Sequence, residues 1–217
     1  EITGGLVGSE MCIRDSCTIM SNNIFPIYDQ LVSRQEKEDF LNQQGAVFWL
    51  TGLSGSGKST MAKQLERQLF NEGFVVQVLD GDNVRSGINN NLGFSEDDRK
   101  ENIRRIAEIA KLFSRSGIVT ICSFVSPKND LREMAQRIIG DEFHLVYISS
   151  SLKKCEERDV KGLYAKARKG EIKNFTGIDA PFDIPSNPHL TLDTEKDTIE
   201  DSTASLYHYA IKHIKKS

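Results

Sequence analysis

Apolar residues in this chain gather in short unbroken runs, separated by longer stretches where they recur every three or four positions. The first run is Ala46-Val47-Phe48-Trp49-Leu50. It is followed by Phe74–Leu79, Ile118–Phe124, Phe143–Ile148 and a weaker one at Leu190–Leu192. Runs of that length without polar interruption suit strands covered on both faces. Between them the spacing is helical. Met61, Leu65 and Leu69 share one face of a stretch that Gly73 is placed to end. Ile103, Ile106, Ala107 and Ala110 mark the face of a helix over residues 97–114, with Ser95 and Asp98 resembling a capping box at its start. A last helix runs from about Ile199 to Lys216. Strands alternating with helices predict an α/β fold with a mostly parallel five-stranded sheet between two helical layers. Ligands of such sheets bind beyond the carboxyl ends of the strands.

At the end of the first run stands Gly52-Leu53-Ser54-Gly55-Ser56-Gly57-Lys58-Ser59, which fits G-x-x-x-x-G-K-[ST] at every position, with Thr60 next in line. Strand, glycine loop and helix come in the order that a phosphate-binding loop requires. The three glycines let backbone N–H groups close on phosphate oxygens. Lys58 brings a point charge to the β- and γ-phosphates, and Ser59 offers its hydroxyl to Mg²⁺. The helix beginning here points its positive end at the anion.

Composition narrows the picture. A chain of 217 residues suits one domain with an insertion, and its net charge of −3 carries no basic field suited to nucleic acid. No apolar run reaches the roughly 18 residues of a membrane span. Cys12, Cys17, Cys122 and Cys155 form no C-x-x-C pair and no zinc spacing, which suits free thiols in a reducing cytoplasm. Residues 1–19 show neither a signal-peptide pattern nor a sustained period, and read as a non-native or disordered leader before a domain at 20–217.

Two further segments carry candidate chemistry. Residues 153–188 break the strand–helix alternation, are rich in charge, Gly and Pro, and hold a basic helical stretch at Glu156–Lys169. Such a long insertion reads as a mobile lid that shields phosphates from water. The second strand ends in Asp80-Gly81-Asp82-Asn83-Val84-Arg85, facing the phosphate loop across the strand ends. A carboxylate there can take a proton from an incoming hydroxyl or hold Mg²⁺ through water; an Asp-Gly turn with a helix cap would leave the same residues.

The blocks GLSGSGKST, DGDNVR, NLGFSEDDRKENIRR, the run Cys155–Tyr164 and ARKGEIKNFTGID, in this order, resemble the adenylylsulfate kinase family over about residues 22–215. The resemblance implies a P-loop kinase fold and transfer of the γ-phosphoryl of ATP to the 3′-hydroxyl of adenosine 5′-phosphosulfate, with Mg²⁺, in sulfate assimilation. It implies a cytoplasmic homodimer and association with sulfate adenylyltransferase, with no nucleic-acid or membrane partner. By that resemblance Asp82 orients or deprotonates the acceptor hydroxyl beside Asp80. Arg85 and Arg99 hold the phosphosulfate with Asn102 beside them, as suits guanidinium forks. Phe94 and Phe175 sandwich the acceptor adenine, and Lys161 with Thr176 closes from the lid side. Val125 and Ser126 line the acceptor site; Ser126, matching a serine described as phosphorylated in the family, has no base adjacent in sequence to activate it.

The sequence departs from the family pattern in two places. Lys128-Asn129 follows Ser126-Pro127 where an aromatic residue and an arginine are usual, so Arg132 is a candidate for the missing cation. Phe182-Asp183 stands where Tyr-Glu is usual. His144, His189, His208 and His213 match no catalytic position. Rival readings are a small kinase of another acceptor and a silent nucleotide-binding module.

Overall fold

The computed structural model describes residues 24–216; the leader, with Cys12 and Cys17, lies outside the described residues. Residues up to Leu31 form a unit of their own, of which the described part holds a single 3₁₀ turn at Tyr28–Gln30. The remainder, from Val32 onward, is an α/β unit.

Helix α1 (Arg34–Leu41) opens it with a capping box in which Ser33 and Glu36 satisfy each other's backbone N–H groups. Then follow β1 (Val47–Thr51), α2 (Lys58–Asn71), β2 (Val76–Asp80), α3 (Gly81–Ser86), α4 (Glu96–Arg115), β3 (Val119–Ser123) and α5 (Asn129–Ile139). The chain continues through β4 (Phe143–Ser149), α6 (Leu152–Arg158), α7 (Leu163–Arg168), β5 (Leu190–Asp193) and α8 (Ile199–Ile214). All four strand pairings are parallel, in the order β2-β3-β1-β4-β5. The sheet was expected to be mostly parallel and is wholly so.

The period-two geometry of β1 divides the core. Phe48 and Leu50 point to one face, against Met61, Leu65 and Leu69 of α2 and Leu206, Ala210 and Ile214 of α8. Val47 and Trp49 point to the other, against Ile103, Ile106 and Ala110 of α4 and Leu131 and Ala135 of α5. Both faces of β1 are fully covered, as a central parallel strand requires. Gln43, fully buried, ties the start of the sheet together: its amide donates to Val75 O (3.0 Å) and Gly117 O (2.7 Å) and accepts from Val75 N (2.7 Å).

The chain leaves β1 toward β2 on one side and later crosses from β3 to β4 on the other, so a crevice opens at the carboxyl end of β1. One predicted element is corrected here. The single lid helix expected at Glu156–Lys169 is two helices, α6 and α7. The chain turns between them at Asp159–Gly162, where Gly162 takes φ 65°, and the Asp159 carboxylate accepts from Tyr164 N and Ala165 N to cap the second helix.

Candidate active site

The loop from Gly52 to Gly57 leaves β1 and enters α2 at the crevice. Gly57 is the N-cap of α2 with φ 106°, a conformation that side chains resist. Gly52 admits no side chain, because a Cβ there would come within 2.4 Å of Ile148 O. Lys58 is buried and donates to Gly52 O (3.0 Å) and Leu53 O (2.7 Å), so its ammonium stands at the mouth of its own loop. Burial lowers its pKa to about 8, opposed by Cys155 and Asp80 nearby. Ser59 and Thr60 are exposed on the first turn of α2.

Three residues that sequence reasoning did not single out brace this loop. Thr194, just after β5, donates to Ser56 O (2.7 Å). Arg158, at the end of α6, reaches Gly55 O (3.4 Å) and Thr194 Oγ1 (3.2 Å). Tyr164, on α7, donates its hydroxyl to Ser54 O (2.9 Å). Arg158 and Tyr164 fall in the family-like run Cys155–Tyr164, which marked the segment but not its partner; Thr194 carries no such mark, because its contact with the loop spans 138 positions.

The Asp80–Arg85 block is the turn from β2 into α3. Asp80 caps that helix, accepting from Asp82 N (3.1 Å) with one oxygen, and accepts the Ser59 hydroxyl (2.7 Å) with the other. The helix cap expected at Asp80-Gly81-Asp82 is present, and the same carboxylate reaches Ser59 of the phosphate loop. A hydroxyl and a carboxylate placed side by side are hard oxygen donors suited to Mg²⁺. Among the described residues no group of three or more His, Cys, Asp or Glu side chains could hold a metal; a cation at Ser59 and Asp80 would complete its shell with phosphate oxygens and water, as Mg²⁺ usually does. Asp82 is exposed and ion-paired with Lys161 of the lid.

Arg85 donates to Leu92 O (3.1 Å) and Gly93 O (2.7 Å), and its guanidinium lies 4.4 Å over the exposed ring of Phe94. Arg99, on the second turn of α4, donates to Phe94 O (3.0 Å), Thr176 Oγ1 (3.1 Å) and Asn174 O (2.7 Å). One side chain thus joins the Phe94 loop to the strip carrying Phe175 and Thr176. Phe175 packs edge-on to Tyr164, with ring centroids 5.0 Å apart. Burial lowers the pKa of both arginines from its high ordinary value.

Two predicted residues sit differently from expectation. Asn102 does share a face of α4 with Arg99, but it is buried and its side-chain oxygen accepts from Asn89 (2.9 Å). It holds the loop below Phe94 because the buried Asn89 amide needs a partner there. Ser126 is also buried: its hydroxyl accepts from Trp49 Nε1 (3.1 Å) and lies 3.1 Å from Thr51 Oγ1, while Val125 O accepts from Thr51 (2.7 Å). Arg132 is no free cation either. It is 3 % exposed and spends its guanidinium on Ser126 O (2.7 Å), the Asn129 side chain and Asp183 O. A cleft of about 660 Å³ adjoins the phosphate loop at Leu53, between the end of β4 and the returning lid segment 177–184.

The site therefore links a phosphate loop, through Asp80 and α3, to a cluster of Arg85, Arg99 and Phe94 beside the Phe175–Thr176 strip. Against known proteins, the family model for adenylylsulphate kinase matches residues 44–193. The adenylyl-sulfate kinase of Bacteroides thetaiotaomicron is 59% identical over 196 residues, covering 90% of this chain and 98% of that protein. That of Staphylococcus epidermidis is 51% identical over 187 residues, covering 86% and 94%. The solved structure of the Mycobacterium tuberculosis APS kinase in complex with AMPPNP and APS matches with a TM-score of 0.74 and 43% identity, covering 77% of this chain and 98% of that one. With the family model spanning residues 44–193 and relatives more than half identical over most of their length, the chain belongs to the adenylylsulphate kinase family.

Proposed function

We infer that this chain is an adenylyl-sulfate kinase, transferring the γ-phosphoryl of ATP to the 3′-hydroxyl of adenosine 5′-phosphosulfate. The observation that carries the reading is that cluster. Arg85 lies over Phe94, Arg99 ties that loop to the Asn174–Thr176 strip, and α3, which carries Arg85, begins at the Asp80 that accepts from Ser59. An acceptor that is both aromatic and strongly anionic fits that lining; a sugar needs neither half of it.

Residue roles follow. The loop from Gly52 through Thr60 cradles the ATP phosphates, and Lys58 leaves its own carbonyls to meet them. Ser59 and Asp80 would hold Mg²⁺, which would supply charge neutralisation to the transferring phosphates. Phe94 and Phe175 stack on the acceptor base, and Arg85 and Arg99 face its phosphosulfate. The 3′-oxygen attacks the γ-phosphorus, the bond to the β,γ-bridging oxygen breaks, and ADP leaves with that electron pair. Asp82, once Lys161 yields to substrate, takes the hydroxyl proton or orients it. Val125 and Ser126 supply the wall of the acceptor recess. The Ser126 hydroxyl, occupied by Trp49 and Thr51, suits positioning better than nucleophilic attack. Residues 153–188 serve as a lid that excludes water. A cytoplasmic homodimer and association with sulfate adenylyltransferase accompany this reading and rest on the family resemblance.

The test is coupled ADP release with MgATP, offering adenosine 5′-phosphosulfate, shikimate, gluconate and AMP in parallel. Turnover with the phosphosulfate alone is expected. Turnover with another acceptor instead would overturn the reading of the recess, and ATP binding without turnover would leave a silent nucleotide-binding module.

A further inference from the structure

Arg132 has no part in the chemistry just described, yet it is a buried charge. Its two terminal nitrogens reach Ser126 O, the Asn129 side chain and Asp183 O, and its guanidinium lies 5.5 Å over the Phe182 ring, which itself stacks on Tyr147. Its Nε is buried without a partner among the described residues. The same two chain segments meet again beside it. Asp183 N donates to Pro127 O (2.8 Å), and Asn129 N donates to the Asp183 carboxylate (3.0 Å). The two places where this sequence departs from its family, Lys128-Asn129 and Phe182-Asp183, are thus two halves of one contact.

That contact closes on a strained residue. Ser126 adopts φ 35°, in the left-handed region that a residue with a Cβ avoids. Such a conformation persists only where its surroundings over-determine it. Thr51 and Trp49 hold its side chain from the sheet, and Arg132 holds its carbonyl. Burying a guanidinium is a poor route to stability, since an apolar residue of similar volume often does as well or better. What the guanidinium adds is direction: three acceptors on two segments, held by one rigid fork.

We propose that Arg132 is a positioning residue, clasping the lid's return arm at Phe182-Asp183 to the acceptor loop at Val125-Ser126, so that the acceptor wall takes its working shape only when that arm is docked. The proposal rests on the reading of Val125 and Ser126 as acceptor wall. It separates the two substrates: the clasp touches the acceptor side, while the phosphate loop is braced independently by Thr194, Arg158 and Tyr164.

The experiment compares wild type with Arg132→Met, Arg132→Lys and Asp183→Ala, measuring kcat, KM for each substrate and the melting temperature. Loss of buried charge-assisted bonds should raise KM for adenosine 5′-phosphosulfate about tenfold in both Arg132 variants, with KM for ATP within about twofold. Arg132→Met leaves the Ser126, Asn129 and Asp183 acceptors without their donor and should melt lower than wild type, so the KM split and not the melt reads the clasp. Asp183→Ala, which leaves Arg132 in place, should show a smaller rise confined to the acceptor. It also decides the matter should either Arg132 variant fold poorly. Equal changes in both KM values, a change in melting temperature alone, or full rescue by lysine would overturn the clasp. A wild type that turns over the phosphosulfate while every variant matches it would sink the clasp and spare the function; a wild type inert toward the phosphosulfate would sink both.

Discussion

Asp82 is the residue to which the proposed reading gives the acceptor proton. It stands at the start of α3, exposed and ion-paired with Lys161. Asp82→Asn keeps its shape and removes its basicity. Turnover should fall about 10²- to 10⁴-fold, the usual worth of a positioned acid or base, with KM for ATP little changed, as steady-state kinetics at saturating acceptor would show. Of the individual site residues, those in the phosphate loop were legible because the motif is local: glycines, lysine and serine act through consecutive backbone. The Ser59–Asp80 pair was half legible. Each residue was marked by its own motif, but their hydrogen bond spans 21 positions and depends on β2 lying beside β3 in the sheet. Ser126 and Asn102 show the opposite case. Polar residues beside a site look the same in sequence whether they face the ligand or hold up the loop beneath it.

Among the elements, the proposed reading gives acceptor recognition to segment 153–188 and the loop before α4. Phe175→Ala should raise KM for adenosine 5′-phosphosulfate by about 10- to 100-fold, on the scale of one lost base stack, and leave ATP binding by calorimetry unchanged. Equal loss for both substrates would mean that the ring only packs against Tyr164. The end of α1 makes a separate, purely structural prediction. Gln43→Ala strands Val75 N and the Gly117 carbonyl without partners, while Val75 O keeps Val119 N as its donor, which should cost about 2–4 kcal/mol in urea unfolding while both KM values hold. Helices α1 and α5 were not anticipated, although Ser33-x-x-Glu36 and the spacing of Leu131, Ala135 and Ile139 before Gly140 carried the signal. The lid helix was overextended because its charge pattern runs on through Asp159–Gly162, while the break there is made by one carboxylate and one left-handed glycine.

At the scale of the whole molecule, three of the four histidines left over from the site, His144, His189 and His213, gather where α8 crosses the sheet. His144 stacks on Phe48, lies 2.9 Å from the Tyr209 hydroxyl, and has His213 and His189 as ring neighbours. Burial first, and then the charges of His213 and His189, lower its pKa to about 4. An unfolded histidine protonates near its ordinary value, so between about 6.5 and 4 the unfolded chain binds the extra proton and stability falls as pH falls. Urea midpoints should drop across that window, and His144→Phe should flatten the slope. A slope unchanged by that substitution would assign the acid sensitivity to other groups. Among the described residues no helix is long and apolar enough to cross a membrane.

The sequence by itself determined the layered α/β architecture, the phosphate loop and the family, because strand burial, helical spacing and a contiguous glycine motif are all written in neighbouring residues. Tertiary structure alone decided which side chains hold that loop from outside, that Asn102 and Ser126 turn inward, and that two separate departures from the family meet around Arg132. Those facts depend on residues 13 to 138 positions apart being brought within hydrogen-bonding distance, and no local pattern encodes which partner a buried polar group will find.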